Sequence, residues 1–226
     1  MFRKDPFITG EYYHIYNRGV DKRVIFKSKN DYQRFVMLLY IANSAAERPL
    51  RLDDILDKQK DKFSEIFSLN KGESLVSIGA WCLMSNHFHI LLRQEVDGGI
   101  TKFMKKLGIS YAMFFNIKYN RTGALFGGLF KSKLIGVDDN YMRHLFGYIN
   151  INPLEIRFPN WKDELGKEKI EKSKFLEEYQ YSSYPDLIGG GRAEKTILNT
   201  NDFPEYFETS CVFKDFIESY FSTDLE

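Results

Sequence analysis

Cysteine and histidine are scarce in this 226-residue sequence, with two of the former and four of the latter, and there are only six prolines. Cys82 and Cys211 stand far apart with no C-x-x-C pair, which excludes a disulfide framework and a thiolate-rich zinc site and suits a reducing compartment. No apolar run approaches the ~18 residues of a membrane span, and the N-terminal MFRKDPFITG has no apolar signal-peptide core. The reading is of a soluble intracellular protein. An excess of one charge is also missing: the formal net charge is +1 and the pI about 7.7, so any nucleic-acid function must come from local basic clusters rather than from the surface as a whole. Repeats and low-complexity tracts are absent.

What is abundant is core-forming material. With 43% hydrophobic and 16% aromatic residues, the chain can bury one sizeable core and a small appendage beside it. EYYHIYNRG (11–19) alternates and closes on Asn-Arg-Gly, which predicts a strand over 11–17. Ser28, Asn30 and Asp31 open an apolar periodicity that predicts a helix near 30–46. Two strands follow, over 74–83 and 87–94, joined at Ser85–Asn86. Ile100, Phe103, Met104, Leu107, Tyr111 and Phe114 repeat at helical spacing and predict a helix over 100–118. A strand over 129–137 precedes a helix over 139–151, capped by Asp138 and Asp139 and stopped by Pro153. The order β-α-β-β-α-β-α fits an α+β, ferredoxin-like split βαβ core with an antiparallel sheet. Residues 8–155 form this core, a charged insertion at 48–72 contributes a short helix, and 156–226 form a C-terminal extension.

Two of the four histidines lie in SNHFHILL (85–92). On a strand, side chains alternate, so His87 and His89 share one face while Phe88 and Ile90 take the other. Side-by-side imidazoles offer two nitrogen ligands to one metal ion with positions left open for oxygen donors; two satisfied histidines on a strand face are the bland alternative. In the helix DDNYMRHLFGYININPLE, the apolar stripe centres on Met142, Phe146 and Ile149, and Tyr141, Tyr148 and Asn152 lie along its edge. Tyr148 and Asn152, four apart, are neighbours on one flank. A phenol there is a candidate oxygen nucleophile, or simply a core-edge tyrosine.

CLMSNHFHILL, YAMFFNIKYNRTGALFGGLFKSKLI, YMRHLFGYININPLE, YQYSSY and the early YNRG, in this order, resemble the REP-associated tyrosine transposases of the IS200/IS605-like, single-tyrosine HUH superfamily. The resemblance runs over roughly residues 10–185. It implies a DNA transposase in which His87 and His89 bind a divalent metal, Mg²⁺ or Mn²⁺. Tyr148 would cut one DNA strand to form a 5′-phosphotyrosine link, with Asn152 as third ligand. The implied partner is single-stranded DNA, hairpin-forming as in REP elements, at the nucleoid of a prokaryotic cytoplasm. A homodimer, with the tyrosine used in cis or in trans, is left open. Where many relatives carry arginine this chain has Leu129, so one phosphate contact is missing.

Local charge adds candidate DNA contacts: Arg18, Lys22 and Arg23 at the first turn, Lys102, Lys105 and Lys106 on the 100–118 helix, Arg121 beside Tyr119, and Lys131 and Lys133 on one strand face. Such residues hold phosphates without reading sequence, and aromatic neighbours such as Tyr119 stack on unpaired bases. Two other readings compete: a metal-dependent phosphohydrolase with Tyr148 structural, and a non-catalytic nucleic-acid-binding module on the same fold.

Overall fold

The computed structural model describes residues 6–58, 63–136 and 139–222. Strands β1 (Tyr12–Arg18), β2 (Val76–Met84), β3 (His87–Gln94) and β4 (Lys131–Ile135) form one antiparallel sheet in the order β2-β3-β1-β4. This is the split βαβ arrangement: β1 and β2, joined through α1 (Lys29–Ile41), are separated by β3. The insertion contributes α2 (Leu52–Lys58) and a 3₁₀ turn at Phe63–Ser68, and α3 (Gly99–Lys118) links β3 to β4. The helix that follows β4 is α4 (Asp139–Ile151); Asp138, expected to cap it, lies outside the described residues.

Alternation along the strands gives the sheet two working faces. On the first, Ile15, Trp81, Phe88, Ile90 and Leu92 meet Phe35 and Leu39 of α1 and Phe103, Leu107 and Tyr111 of α3, all fully or almost fully buried. This face is anchored at one corner by a polar knot. The buried Asp31 carboxylate accepts from the backbone N–H groups of Lys27 and Ser28 at the start of α1, and from Tyr119 Oη and Lys118 Nζ at the end of α3. Burial alone would raise the Asp31 pKa, but these hydrogen bonds outweigh it and hold the carboxyl below its usual range.

The second face is apolar over Ala80, Cys82, Leu91 and Ile135, against which α4 seats Met142, Leu145, Phe146 and Ile149. Leu154 and the described residues of the 156–226 extension join this core. They form short helices α5 (Leu154–Arg157) and α7 (Tyr184–Leu187) and longer helices α6 (Lys169–Glu178) and α8 (Ser210–Ser219). Trp161, Leu176, Tyr184, Phe213, Ile217 and Phe221 are buried with the α4 stripe. The YQYSSY block has a specific task here. Tyr181 O accepts from Leu83 N–H at 2.9 Å and Ser183 N–H donates to Trp81 O at 2.9 Å, so the block covers the open edge of β2. Ser183 Oγ also meets Asn150 Oδ1 at 2.9 Å, tying that edge to α4.

Candidate active site

Near one end of β1 and β3, the second face carries polar groups in place of core. Tyr16 pairs with His89 and Arg18 with His87 in the β1–β3 register, so Tyr16, Arg18, His87 and His89 share that face. His14, two residues back along β1, joins them. The far wall is α4, which brings Tyr141, His144 and Tyr148, with Asn152 in the turn just after it and Glu155 on α5, to a cleft of about 770 Å³. All four histidines of the chain line this one cleft.

The two imidazoles of the H-x-H stretch lie with ring centroids 5.1 Å apart, and the Tyr148 ring stands edge-on to His89 at 5.5 Å. These groups come together within a single chain. Tyr148 is 43% exposed and Asn152 only 4%, so the phenol reaches the open cleft while the carboxamide sits at its floor. Asn152 Nδ2 donates to the Tyr148 carbonyl at 2.6 Å, one helical turn back, which leaves Asn152 Oδ1 as its free end. His87 Nδ1 is 2.6 Å from Asn86 Oδ1, and His89 Nδ1 is 2.9 Å from His14 Nε2. Each Nδ1 is thus engaged, and each Nε2 is the atom left for a ligand.

Burial governs the protonation of these groups. It lowers His87 to about 4, helped by the Arg18 charge and opposed by Glu155. Burial with His14, His87 and Arg18 lowers His89 to about 2, and burial with Lys133 lowers His14 to about 4. At neutral pH the three rings are uncharged, the state a metal needs. Burial and the Glu155 carboxylate raise Tyr148, against the closeness of the Asn152 carboxamide to its phenol oxygen and the Lys162 charge, so the resting side chain is a phenol. Among the described residues no group of three or more His, Cys, Asp and Glu is placed to hold a metal ion. What the cleft offers is two imidazole nitrogens and a carboxamide oxygen, a donor set that fits a divalent ion keeping open positions for phosphate oxygens.

The basic residues divide. Arg18, Lys131 and Lys133 line the cleft, Lys133 with its ammonium 2.7 Å from Tyr141 Oη. Lys22 and Arg23 are exposed on the turn behind it, where Arg23 meets Asp21. Lys102, Lys105 and Lys106 lie elsewhere, lining a groove among α1, α2 and α3 on the other side of the sheet. Arg121 binds its own loop through Asn116 and Ala124, and the hydroxyl of Tyr119 is held by Asp31. Leu129 is at the cleft mouth, 72% exposed. Sequence reasoning missed His14, Tyr16, His144 and Glu155. The signal for His14 was its parity with Tyr16 on an alternating strand, readable only once β1 and β3 are known to be neighbours.

Residues 50–151 match the family model described as "Transposase IS200 like". That stretch contains His87, His89 and Tyr148 and ends one residue before Asn152. No curated protein matches the sequence. A solved structure titled "Structure of the REP associates tyrosine transposase bound to a REP hairpin" is similar at 13% identity and a TM-score of 0.48, over 84% of this chain and 87% of that one. No helix of the described residues is long and apolar enough to cross a membrane.

Proposed function

We propose that this chain, an IS200-like transposase over residues 50–151, cuts single-stranded DNA and becomes joined to it through Tyr148. The observation that carries the reading is the Tyr148 phenol standing edge-on to His89, in one chain and one cleft with His87 and Asn152. His87 Nε2, His89 Nε2 and Asn152 Oδ1 would hold a divalent cation, Mg²⁺ or Mn²⁺. Bound there, such an ion withdraws charge from a phosphate oxygen and makes the phosphorus a better target. Arg18, Lys131 and Lys133 hold the flanking phosphates and turn the scissile one toward the phenol.

Tyr148 Oη then forms a bond to phosphorus as the bond to the upstream 3′-oxygen breaks. The phenol loses its proton and the leaving oxygen gains one. The downstream 5′ end stays on the protein as a phosphotyrosine, and a 3′-hydroxyl from another strand can reverse the step and join new ends. A water-mediated cut would discard that bond energy. A single strand suits this cleft better than a duplex, whose second backbone would bring further charge to its mouth. The preference for a hairpin nearby follows from the sequence resemblance.

Labelled hairpin-bearing oligonucleotides, incubated with the protein and Mg²⁺ or Mn²⁺ and run on denaturing gels, test the reading. A metal-dependent adduct on the downstream fragment, lost in Tyr148→Phe and in His87→Ala, is expected. Cleavage that survives Tyr148→Phe would mean a phosphohydrolase, and binding with no cleavage at all a non-catalytic module.

A further inference from the structure

The contact between His14 and His89 has only two proton arrangements. The rings are 2.9 Å apart, Nε2 of His14 to Nδ1 of His89, and both side chains are buried, at 8% and 7% exposure. One proton lies between the two nitrogens. If His14 supplies it, His89 Nδ1 is the acceptor and the remaining His89 proton must sit on Nε2, where it blocks ligation. If His89 supplies it, the His89 Nε2 lone pair faces the cleft.

We propose that His14 is a positioning residue for the metal site: it accepts from His89 Nδ1–H and so fixes His89 in the tautomer that presents Nε2. This rests on the reading of His87 and His89 as ligands. The other imidazole supports it. Asn86 Nδ2 donates to Lys22 O at 3.0 Å, which turns Asn86 Oδ1, an acceptor only, onto His87 Nδ1 at 2.6 Å. His87 is thereby held as the Nδ1–H tautomer, and His14 gives its neighbour the same orientation. Two ligands with matched tautomers arise from two unrelated supports.

The sheet explains why a strand histidine can do this. His14 is opposite Leu91 on β3, and His89 is the same-face residue two positions away, so the contact is the diagonal one of an antiparallel pair. The rings of His14 and His89 are near-coplanar and edge to edge, with centroids 5.1 Å apart and planes 23° apart, as an in-plane N–H···N bond requires, and His14 lies edge-on to Tyr148 at 6.3 Å. An uncharged acceptor has a further merit over the carboxylate that often orients a metal-bound histidine. It fixes the tautomer without adding negative charge to a cleft that must admit phosphate.

The test uses the full chain in two variants. His14→Phe keeps a ring of similar size and removes the acceptor, and His14→Gln restores an acceptor oxygen. Long-range ¹H–¹⁵N NMR of the metal-free protein reads the His89 tautomer directly, and Mn²⁺ titration followed by electron paramagnetic resonance reads affinity. The wild type is expected to show His89 as Nδ1–H, and His14→Phe to move it to Nε2–H and weaken Mn²⁺ binding by about 10–100-fold. His14→Gln should recover most of that loss. A wild-type His89 protonated at Nε2, or a folded His14→Phe that binds Mn²⁺ within about twofold of wild type, overturns the proposal. Mn²⁺ binding untouched by His87→Ala and His89→Ala overturns the ligand reading itself, and those two variants tell that failure apart from a failure of His14.

Discussion

The two faces of the sheet are made by the same strands and put to different ends. The first is apolar along its length, closed by α1 and α3, and its buried Asp31 carboxylate is saturated with donors. The second is apolar only over part of its area and gives way to imidazoles, a phenol and a carboxamide near the ends of β1 and β3. Along β3, Phe88 and Ile90 serve stability while His87 and His89 between them serve the cleft. Alternation lets one strand carry both tasks, because a change on one face leaves the other's packing in place.

Substitutions should separate the faces cleanly. Tyr148→Phe is expected to lower adduct formation by about 10⁴-fold or more while leaving the thermal midpoint nearly unchanged, measured by gel assay and calorimetry on the same preparation. Phe35→Ala, in the centre of the first face, should do the reverse: about 3–5 kcal/mol of stability lost in urea titration, with adduct yield per folded molecule retained. An equal effect of either variant on both readouts would break the separation.

Acid should also tell the faces apart. An unfolded histidine takes up a proton near 6.5, whereas folded His14 and His87 resist it to about 4 and His89 to about 2. The unfolded chain therefore binds more protons as pH falls below 6.5, and stability should decline from there through about 4 for His14 and His87 and on toward 2 for His89. Asp31 acts lower. Its folded pKa is depressed below 3.8, so its contribution is present above that value and disappears only as pH falls through the folded pKa. Urea midpoints across this range should show an early decline made shallower by His14→Phe and a late one made shallower by Asp31→Asn; a single step near 4, untouched by His14→Phe, would contradict the assignment.

Smaller effects are expected at the edges of the second face. A β-carbon on Gly147 would meet the Tyr220 hydroxyl at 2.5 Å and its ring at 2.6 Å, so Gly147→Ala should cost about 1–3 kcal/mol in denaturant and move the α4 helix. Leu129→Arg, at the exposed cleft mouth, should tighten single-strand binding by roughly threefold at low salt and less as salt rises. No gain at low salt would place the strand's path away from residue 129.

Much of this division was legible in the sequence. Strand parity put His87 and His89 together, and the apolar stripe of α4 put Tyr148 and Asn152 on its edge, because each inference needs only the local period of one element. Inferences that need two elements were harder. His14 reads as one more residue in an aromatic strand until β1 and β3 are known to be neighbours. Lys102, Lys105 and Lys106 form a convincing charged helix face, but nothing in their spacing tells which side of the sheet α3 covers. The charged stretch from 155 to 178 hides how few apolar residues, Trp161 and Leu176 among them, suffice to seat the extension on the second core.

The contact of Tyr220 with Gly147 and with His144 Nδ1, 3.0 Å away, bears on the order in which the molecule comes into being. A ribosome finishes every residue of the cleft, from His14 to Glu155, some sixty residues before it reaches the aromatic ring that rests on the helix bearing Tyr148. A chain halted in that interval by a premature stop carries the whole chemical inventory and lacks the piece that seats it. The seat of the helix bearing Tyr148 is therefore completed late in synthesis, and, on the proposed function, cleavage would have to wait for it.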